Sequence, residues 1–121
     1  MKSKYAKLTE KVAHKSSFRV RMGCVIVKGN SVLSIGINNG EKTHPKSLHP
    51  FHSLHAEVDA VASAKGEDLS NSTAYVARLF KDNTLGMAKP CQYCETLLRR
   101  CGVKEVWYST KDGWQYLDLR S

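Results

Sequence analysis

Two short motifs with metal-ligand chemistry constrain this chain more than any other feature. His55-Ala56-Glu57 opens one predicted helix, and Pro90-Cys91-Gln92-Tyr93-Cys94 opens the next. Cysteines three apart on a helix point the same way, and the unpaired N–H groups of a helix start favour thiolate over thiol. A catalytic zinc takes three protein ligands and keeps a fourth position for water. The fold must therefore bring both helix starts around one ion, with His55, Cys91 and Cys94 as its ligands.

Glu57 is the predicted catalytic residue of the first motif. It follows His55 by two positions, so its carboxylate can stand beside a water on the zinc without binding the metal itself. Zinc lowers the pKa of bound water from about 16 towards 7, and a nearby carboxylate can then move protons. A zinc that serves only folding needs no such carboxylate. Glu57 therefore favours an enzyme over the open alternative, a non-catalytic binding module or an inactive relative.

Predicted helices and strands alternate along the chain. An amphipathic helix over residues 3–15 precedes a hairpin formed by the apolar run 23–27 and the return strand 32–37. Residues 38–54 predict a long loop. The next elements are a helix over 55–65, with Val58, Val61 and Ala62 facing inward, a strand over 73–79 and a loop over 80–90. Pro90, at the end of that loop, suits the first position of a helix. A helix over 91–101 and a strand over 103–108 follow. We expect the sheet to continue largely parallel after the hairpin, whereas residues 111–121 are open between strand and helix.

Length and composition fit one soluble domain spanning residues 1–121. Hydrophobic residues make up 41% and charged residues 25%, which excludes disorder and fibrous repeats, and no apolar stretch is long enough to cross a bilayer. Residues 1–15 lack the apolar centre of a secretory signal, so we expect a cytoplasmic protein. In a reducing compartment the close cysteine pair predicts metal binding, while Cys24 and Cys101 are expected in the core.

The formal charge of +8, with a pI near 9.5, concentrates polyanions and phosphorylated ligands around the protein. Much of it comes from basic residues near the start of the chain, namely Lys2, Lys4, Lys7, Lys11, Lys15, Arg19 and Arg21. These residues either solvate one face of the first helix or belong to a binding surface for phosphate or single-stranded nucleic acid. Both interpretations remain open at this stage.

The two motifs together resemble the signature of the zinc nucleobase deaminases, His-x-Glu followed by Pro-Cys-x-x-Cys. The chain is similar to the cytidine and deoxycytidylate deaminase family over residues 20–110. Residues 20–27 look like the family's first strand, Gly36-Ile37-Asn38 like the end of its second, and residues 101–108 like the segment entering its fourth. The resemblance implies a three-layer α/β/α fold in which a mixed central sheet carries helices on both faces.

The same resemblance implies an activity and its site. It predicts hydrolytic deamination of cytosine in a free nucleoside or nucleotide, of the cytidine or dCMP type, with one zinc per chain. Asn38 would hydrogen-bond the sugar or the base edge, and Ala56 and Pro90 would also contact the substrate. Members of the family are commonly homo-oligomers, so assembly is expected by analogy.

Residues 79–89 depart from the pattern of the nucleotide-deaminating relatives, whose third strand ends almost directly at the Pro-Cys pair. Such an insertion at the edge of the site can form a lid, a nucleic-acid contact or a subunit interface. The alternative function is therefore deamination of cytosine, or of adenine, in single-stranded DNA or RNA.

Three further histidines, His44, His49 and His52, lie in the predicted long loop. We expect them to be polar loop residues, and contact with a substrate phosphate or a second metal stays open. His55 is preferred to His52 as the metal ligand because only His55 is followed by a glutamate two positions later.

Overall fold

The structure, a computed structural model, describes residues 1–17, 20–38 and 55–120. These residues fold into a six-stranded mixed sheet with helices on both faces. The predicted long loop, with His44, His49 and His52, lies outside these residues. No helix within the described ranges is long and apolar enough to cross a bilayer. The elements are α1 (Ser3–His14), β1 (Arg21–Lys28), β2 (Ser31–Ile37), α2 (Ala56–Ser63), β3 (Thr73–Leu79), β4 (Leu85–Gly86), α3 (Gln92–Arg100), β5 (Glu105–Thr110) and β6 (Gly113–Asp118).

The strand order is β2-β1-β3-β5-β6, with β4 pairing outside this path with β3. The expected parallel continuation is confirmed for β3 and β5 but is wrong for β1 and β3, which pair antiparallel. The β5–β6 pair, for which no direction was predicted, is also antiparallel. The α2 crossover makes β3 parallel to β2, as a crossover should. However, β1 lies between those two strands and runs against both. The ambiguous tail forms β6.

Side chains alternate between two cores, one on each face of the sheet. On β1, Val25 and Val27 pack with Tyr5 and Val12 of α1. Cys24 and Ile26 point the other way, into a core that includes residues of α2, α3, β3 and β5. A strand buried on both faces has this continuous apolar pattern. The three-layer α/β/α arrangement expected from the resemblance is thus confirmed.

Helix α2 lies unusually close to β2. A Cβ built on Gly36 would stand 2.3 Å from the Ala60 nitrogen and 2.4 Å from the Ala56 carbonyl oxygen. The sheet-facing side of α2 is therefore made of alanines, and Ala56 and Ala60 are fully buried. The sequence predicted Val58, Val61 and Ala62 as the inward face. Val58 is buried, but it packs with Cys94 of α3 rather than on the sheet, and the other two are only partly buried.

The predicted loop over 80–90 contains a short hairpin. Strand β4 pairs Leu85 with Leu79 and Gly86 with Arg78. In the turn, Phe80 N–H donates to the Thr84 carbonyl at 2.9 Å, and Asn83 adopts a positive φ of 67°. The insertion is thus an ordered extension of β3.

Replacing Gly36 with alanine tests the close approach of α2. We expect Gly36→Ala to lower the free energy of unfolding by about 1–3 kcal/mol, because the added methyl group meets helix backbone that can yield only by moving α2. Zinc affinity should fall as well, since His55 precedes that helix. Urea unfolding and a zinc competition titration measure the two effects, with Val32→Ala at an exposed site of β2 as the control. Wild-type stability and affinity in Gly36→Ala would contradict this packing.

Candidate active site

The structure brings His55, Cys91 and Cys94 together, with their ligand atoms all within 4.8 Å of one another. The His55 Nδ1 atom lies 3.9 Å from the Cys91 sulfur and 3.4 Å from the Cys94 sulfur. Tetrahedral zinc with its usual bond lengths to sulfur and nitrogen would place these atoms about 3.6 Å apart. The three side chains therefore fit a zinc ion without rearrangement of the backbone.

Both motifs stand at helix starts, as predicted. His55 and Cys91 are the extended residues immediately before α2 and α3, and Cys94 lies in the first turn of α3. Pro90 was expected at the first helical position, but it precedes Cys91 and so lies outside the helix. Cys91 is exposed, His55 is half-buried and Cys94 is buried. A ligand can therefore reach the site from the side of Cys91.

Glu57 is a buried carboxyl group beside this cluster, with 3% of its surface exposed. Burial raises its pKa from the ordinary value of 4.5, although its own backbone N–H and a hydrogen bond from the Cys94 thiol act in the opposite direction. A carboxyl group that accepts a proton closer to neutral pH is better suited to shuttling protons.

Cys94 departs from the expectation that a helix start favours its thiolate. Burial raises the pKa of this thiol far above its ordinary value, and the nearby Glu57 and Cys91 add to the effect. Removing the sulfur from water outweighs the favourable field of the helix start. A cation bound between the sulfurs would supply the missing stabilisation, and its binding would release the thiol proton.

Two anchors that the sequence did not reveal hold the helix starts in place. The Asp59 carboxylate accepts a hydrogen bond from the Ile37 N–H at 3.0 Å and so ties α2 to the end of β2. Ahead of α3, the Ala88 N–H donates to the Ser109 carbonyl at 2.9 Å. Apolar periodicity gives no signal for a single polar residue such as Asp59.

Asn38 lies at the end of β2, and its side chain is largely occupied by the protein. Its Oδ1 accepts hydrogen bonds from the Ser16 hydroxyl and the Met22 N–H, both at 2.8 Å. Its Nδ2 donates to the Val20 carbonyl. An amide nitrogen has two hydrogens, and among the residues that the structure describes only one of them has an acceptor, so the other could serve a substrate. The substrate role of Asn38 stays a prediction.

The remaining predicted site residues and cysteines fall in distinct environments. Ala56 is fully buried against the sheet, and Pro90 is buried next to Cys91. Cys24 is fully buried in the core, and Cys101 is partly buried against it, in agreement with their predicted structural roles.

Comparison with known proteins decides the family. The model of the cytidine and deoxycytidylate deaminase zinc-binding region matches residues 1–110. The chain belongs to this family. The match includes both helix starts and therefore all three residues of the cluster, His55, Cys91 and Cys94. Zinc is therefore the metal that this site binds.

Two curated relatives are similar to this family member. One, a deoxycytidylate deaminase of Schizosaccharomyces pombe, is 31% identical over 107 aligned positions, which cover 74% of this chain and 30% of the relative. The other, a probable deoxycytidylate deaminase of Caenorhabditis elegans, is 29% identical over 100 positions, covering 73% of this chain and 46% of the relative. The chain thus spans less than half the length of either relative.

A solved structure is similar to the whole fold. The dCMP deaminase of cyanophage S-TIM5, crystallised in complex with dCMP and dUMP, is 27% identical with a TM-score of 0.67. The match covers 91% of this chain and 84% of that one. This similarity confirms the expected family fold.

Replacing Cys94 with serine tests the metal ligands. We expect Cys94→Ser to purify with far less zinc than the wild type, because a buried hydroxyl is a much poorer ligand for zinc than a thiolate. Elemental analysis and a chelator competition titration give zinc content and affinity. Cys101→Ser is the matched control and should keep its zinc. Equal zinc affinity in Cys94→Ser and the wild type would rule out this ligand set.

The buried carboxyl group predicts a pH dependence for the metal-free protein. Because folding raises the pKa of Glu57, the stability that its protonated form provides is complete below the ordinary value of 4.5 and is lost as pH rises. Metal-free Glu57→Gln should therefore unfold at a higher temperature than metal-free wild type, by a margin that grows from pH 4 to pH 8. Thermal unfolding across this range measures it. The control is Glu67→Gln, an exposed site, and parallel curves for all three proteins would contradict the prediction.

Proposed function

We propose that this protein hydrolyses the exocyclic amino group of cytosine in a pyrimidine nucleotide of the dCMP type, giving the uracil nucleotide and ammonia. The observation that carries the proposal is a buried carboxyl group, Glu57, beside three side chains that fit a zinc ion. The similarity to deoxycytidylate deaminases and to the cyanophage enzyme supports a nucleotide as substrate.

Zinc held by His55, Cys91 and Cys94 would supply hydroxide at neutral pH and polarise the reacting centre. Glu57 takes a proton from the water and gives it to the ring nitrogen next to the reacting carbon, to which the remaining hydroxide adds. It then takes the proton of that added hydroxyl group and passes it to the amino group, which leaves as ammonia while the carbonyl of the uracil product forms. The Cys94 thiol, which hydrogen-bonds Glu57, would lose its proton on becoming a zinc ligand. The carboxyl group would then be available to hydrogen-bond water and substrate.

The alternative is a polynucleotide deaminase, which acts on a cytosine or adenine in single-stranded DNA or RNA. The formal charge of +8 favours it, since a polyanion gains more from such a charge than a single nucleotide does. Deamination of an oligonucleotide by this enzyme would lose rate steeply as salt is raised.

A substrate panel together with Glu57→Gln tests the proposal. Purified zinc-loaded protein is incubated with deoxycytidine, dCMP, dCTP and a cytosine-containing single-stranded oligonucleotide, and the uracil product is measured in each. We expect activity on dCMP. In Glu57→Gln, kcat should fall by about 100-fold or more because the proton shuttle is lost, whereas zinc content should not change.

Deamination of the oligonucleotide alone would favour the polynucleotide alternative. Undiminished turnover in Glu57→Gln would overturn the role of the carboxyl group. The single domain over 1–121, the cytoplasmic location and assembly into a homo-oligomer stay predictions, and sedimentation of the purified protein checks the last of them.

A further inference from the structure

Arg78 lies on the same face of the sheet as the metal-binding cluster. Along β3, Ala74 and Val76 point into the core below α2 and α3, whereas Tyr75, Ala77 and Leu79 point towards α1. Because side chains alternate along a strand, Arg78 shares the face of Val76 and lies about 7 Å beyond it. Val76 pairs with Cys24, which lies in one core cluster with Ala56 of the His-Ala-Glu motif. Arg78 thus lies two residues further along β3 than Val76, which packs in the core cluster that also contains Ala56.

Arg78 and Asn38 lie in one row across the sheet, with Met22 of β1 between them. Arg78 pairs with Met22 of β1, and the Met22 N–H donates to the Asn38 side chain at 2.8 Å on the other side. Neighbouring strands are about 4.8 Å apart, so the two residues stand about 10 Å from each other. A nucleotide whose base reaches the zinc ligands would extend over this row.

Arg78 has an unused hydrogen-bond donor. Its Nε atom is buried and has no hydrogen-bond partner, and no carboxylate lies within salt-bridge distance of it among the residues that the structure describes. A buried, unpaired donor on a charged group is costly to stability. Such a group is suited to an anionic ligand, and arginine is well matched to phosphate oxygens.

The hairpin insertion holds Arg78 in position. The guanidinium lies over the Phe80 ring, 5.1 Å from its centroid. A Cβ on Gly86 would stand 2.8 Å from that ring and 3.3 Å from the Arg78 side chain, so both pack against the glycine. The Arg78 N–H donates to the Ser109 hydroxyl, which donates in turn to the Gly86 carbonyl at 2.8 Å. The insertion thus holds the guanidinium over the Phe80 ring and Gly86.

We propose that Arg78 binds the phosphate group of the nucleotide whose base enters the zinc site, and that Phe80 is its positioning residue. This inference rests on the proposed function. It implies that the insertion over residues 79–89 selects phosphorylated substrates over nucleosides. The phosphate belongs either to a free nucleotide or to a nucleotide within a strand. The chemistry recognised by the guanidinium is the same in both.

The test compares substrates with and without phosphate. In Arg78→Gln, kcat/KM for dCMP should fall by about 10- to 100-fold, mainly through KM, while kcat/KM for deoxycytidine should change by less than about twofold. Phe80→Leu should show the same selective effect on KM, but smaller. Lys81→Gln removes an equal charge from an exposed site on the same hairpin and should leave the ratio of the two substrates unchanged.

A binding measurement separates this inference from the proposed reaction. Titration calorimetry with dUMP and deoxyuridine on zinc-loaded protein should show tighter binding of dUMP, and Arg78→Gln should remove most of that difference even if the wild type were inactive. Equal losses for the phosphorylated and phosphate-free compounds, or no loss for either, would overturn the role of Arg78. A larger loss with a single-stranded oligonucleotide than with dCMP would assign the phosphate to a strand.

Discussion

The contact between α2 and the edge of the sheet is the constraint on which the site depends. Gly36 has no side chain, and the alanines opposite it have very small ones, so the helix lies directly on β2. The Asp59 carboxylate then fixes the helix along the strand. Since His55 and Glu57 belong to the start of α2, this packing determines where the imidazole and the buried carboxyl group stand relative to the two sulfurs.

Burial gives the cluster its chemistry. Both Glu57 and Cys94 are held away from water, and in each case burial favours the neutral form. A divalent cation bound by the Cys94 sulfur would reverse this preference for the thiol, and its binding would release the thiol proton beside the carboxyl group.

The sequence predicted the site more completely than the topology. The motif residues identified the three side chains that converge, because their chemistry admits few other uses, and the strand over Thr73–Leu79 was exact. The direction of β3 relative to β1 was not predictable from local pattern, since it depends on which strand lies between the ends of the α2 crossover. The inward face of α2 was also misjudged: close packing against Gly36 selects alanine, whereas the sequence reading favoured larger side chains.

Ser109 connects two parts of the molecule through different atoms. Its carbonyl oxygen accepts from the Ala88 N–H ahead of Cys91, while its hydroxyl group links the backbones of Arg78 and Gly86 in the hairpin. Any residue at position 109 would supply the carbonyl oxygen, whereas the hydroxyl group requires serine or threonine. Evolution can therefore loosen or reshape the hairpin by exchanging one small side chain, without disturbing the support beneath the metal ligand. In such an architecture, the loop beside the site can change while the metal-binding residues keep their places.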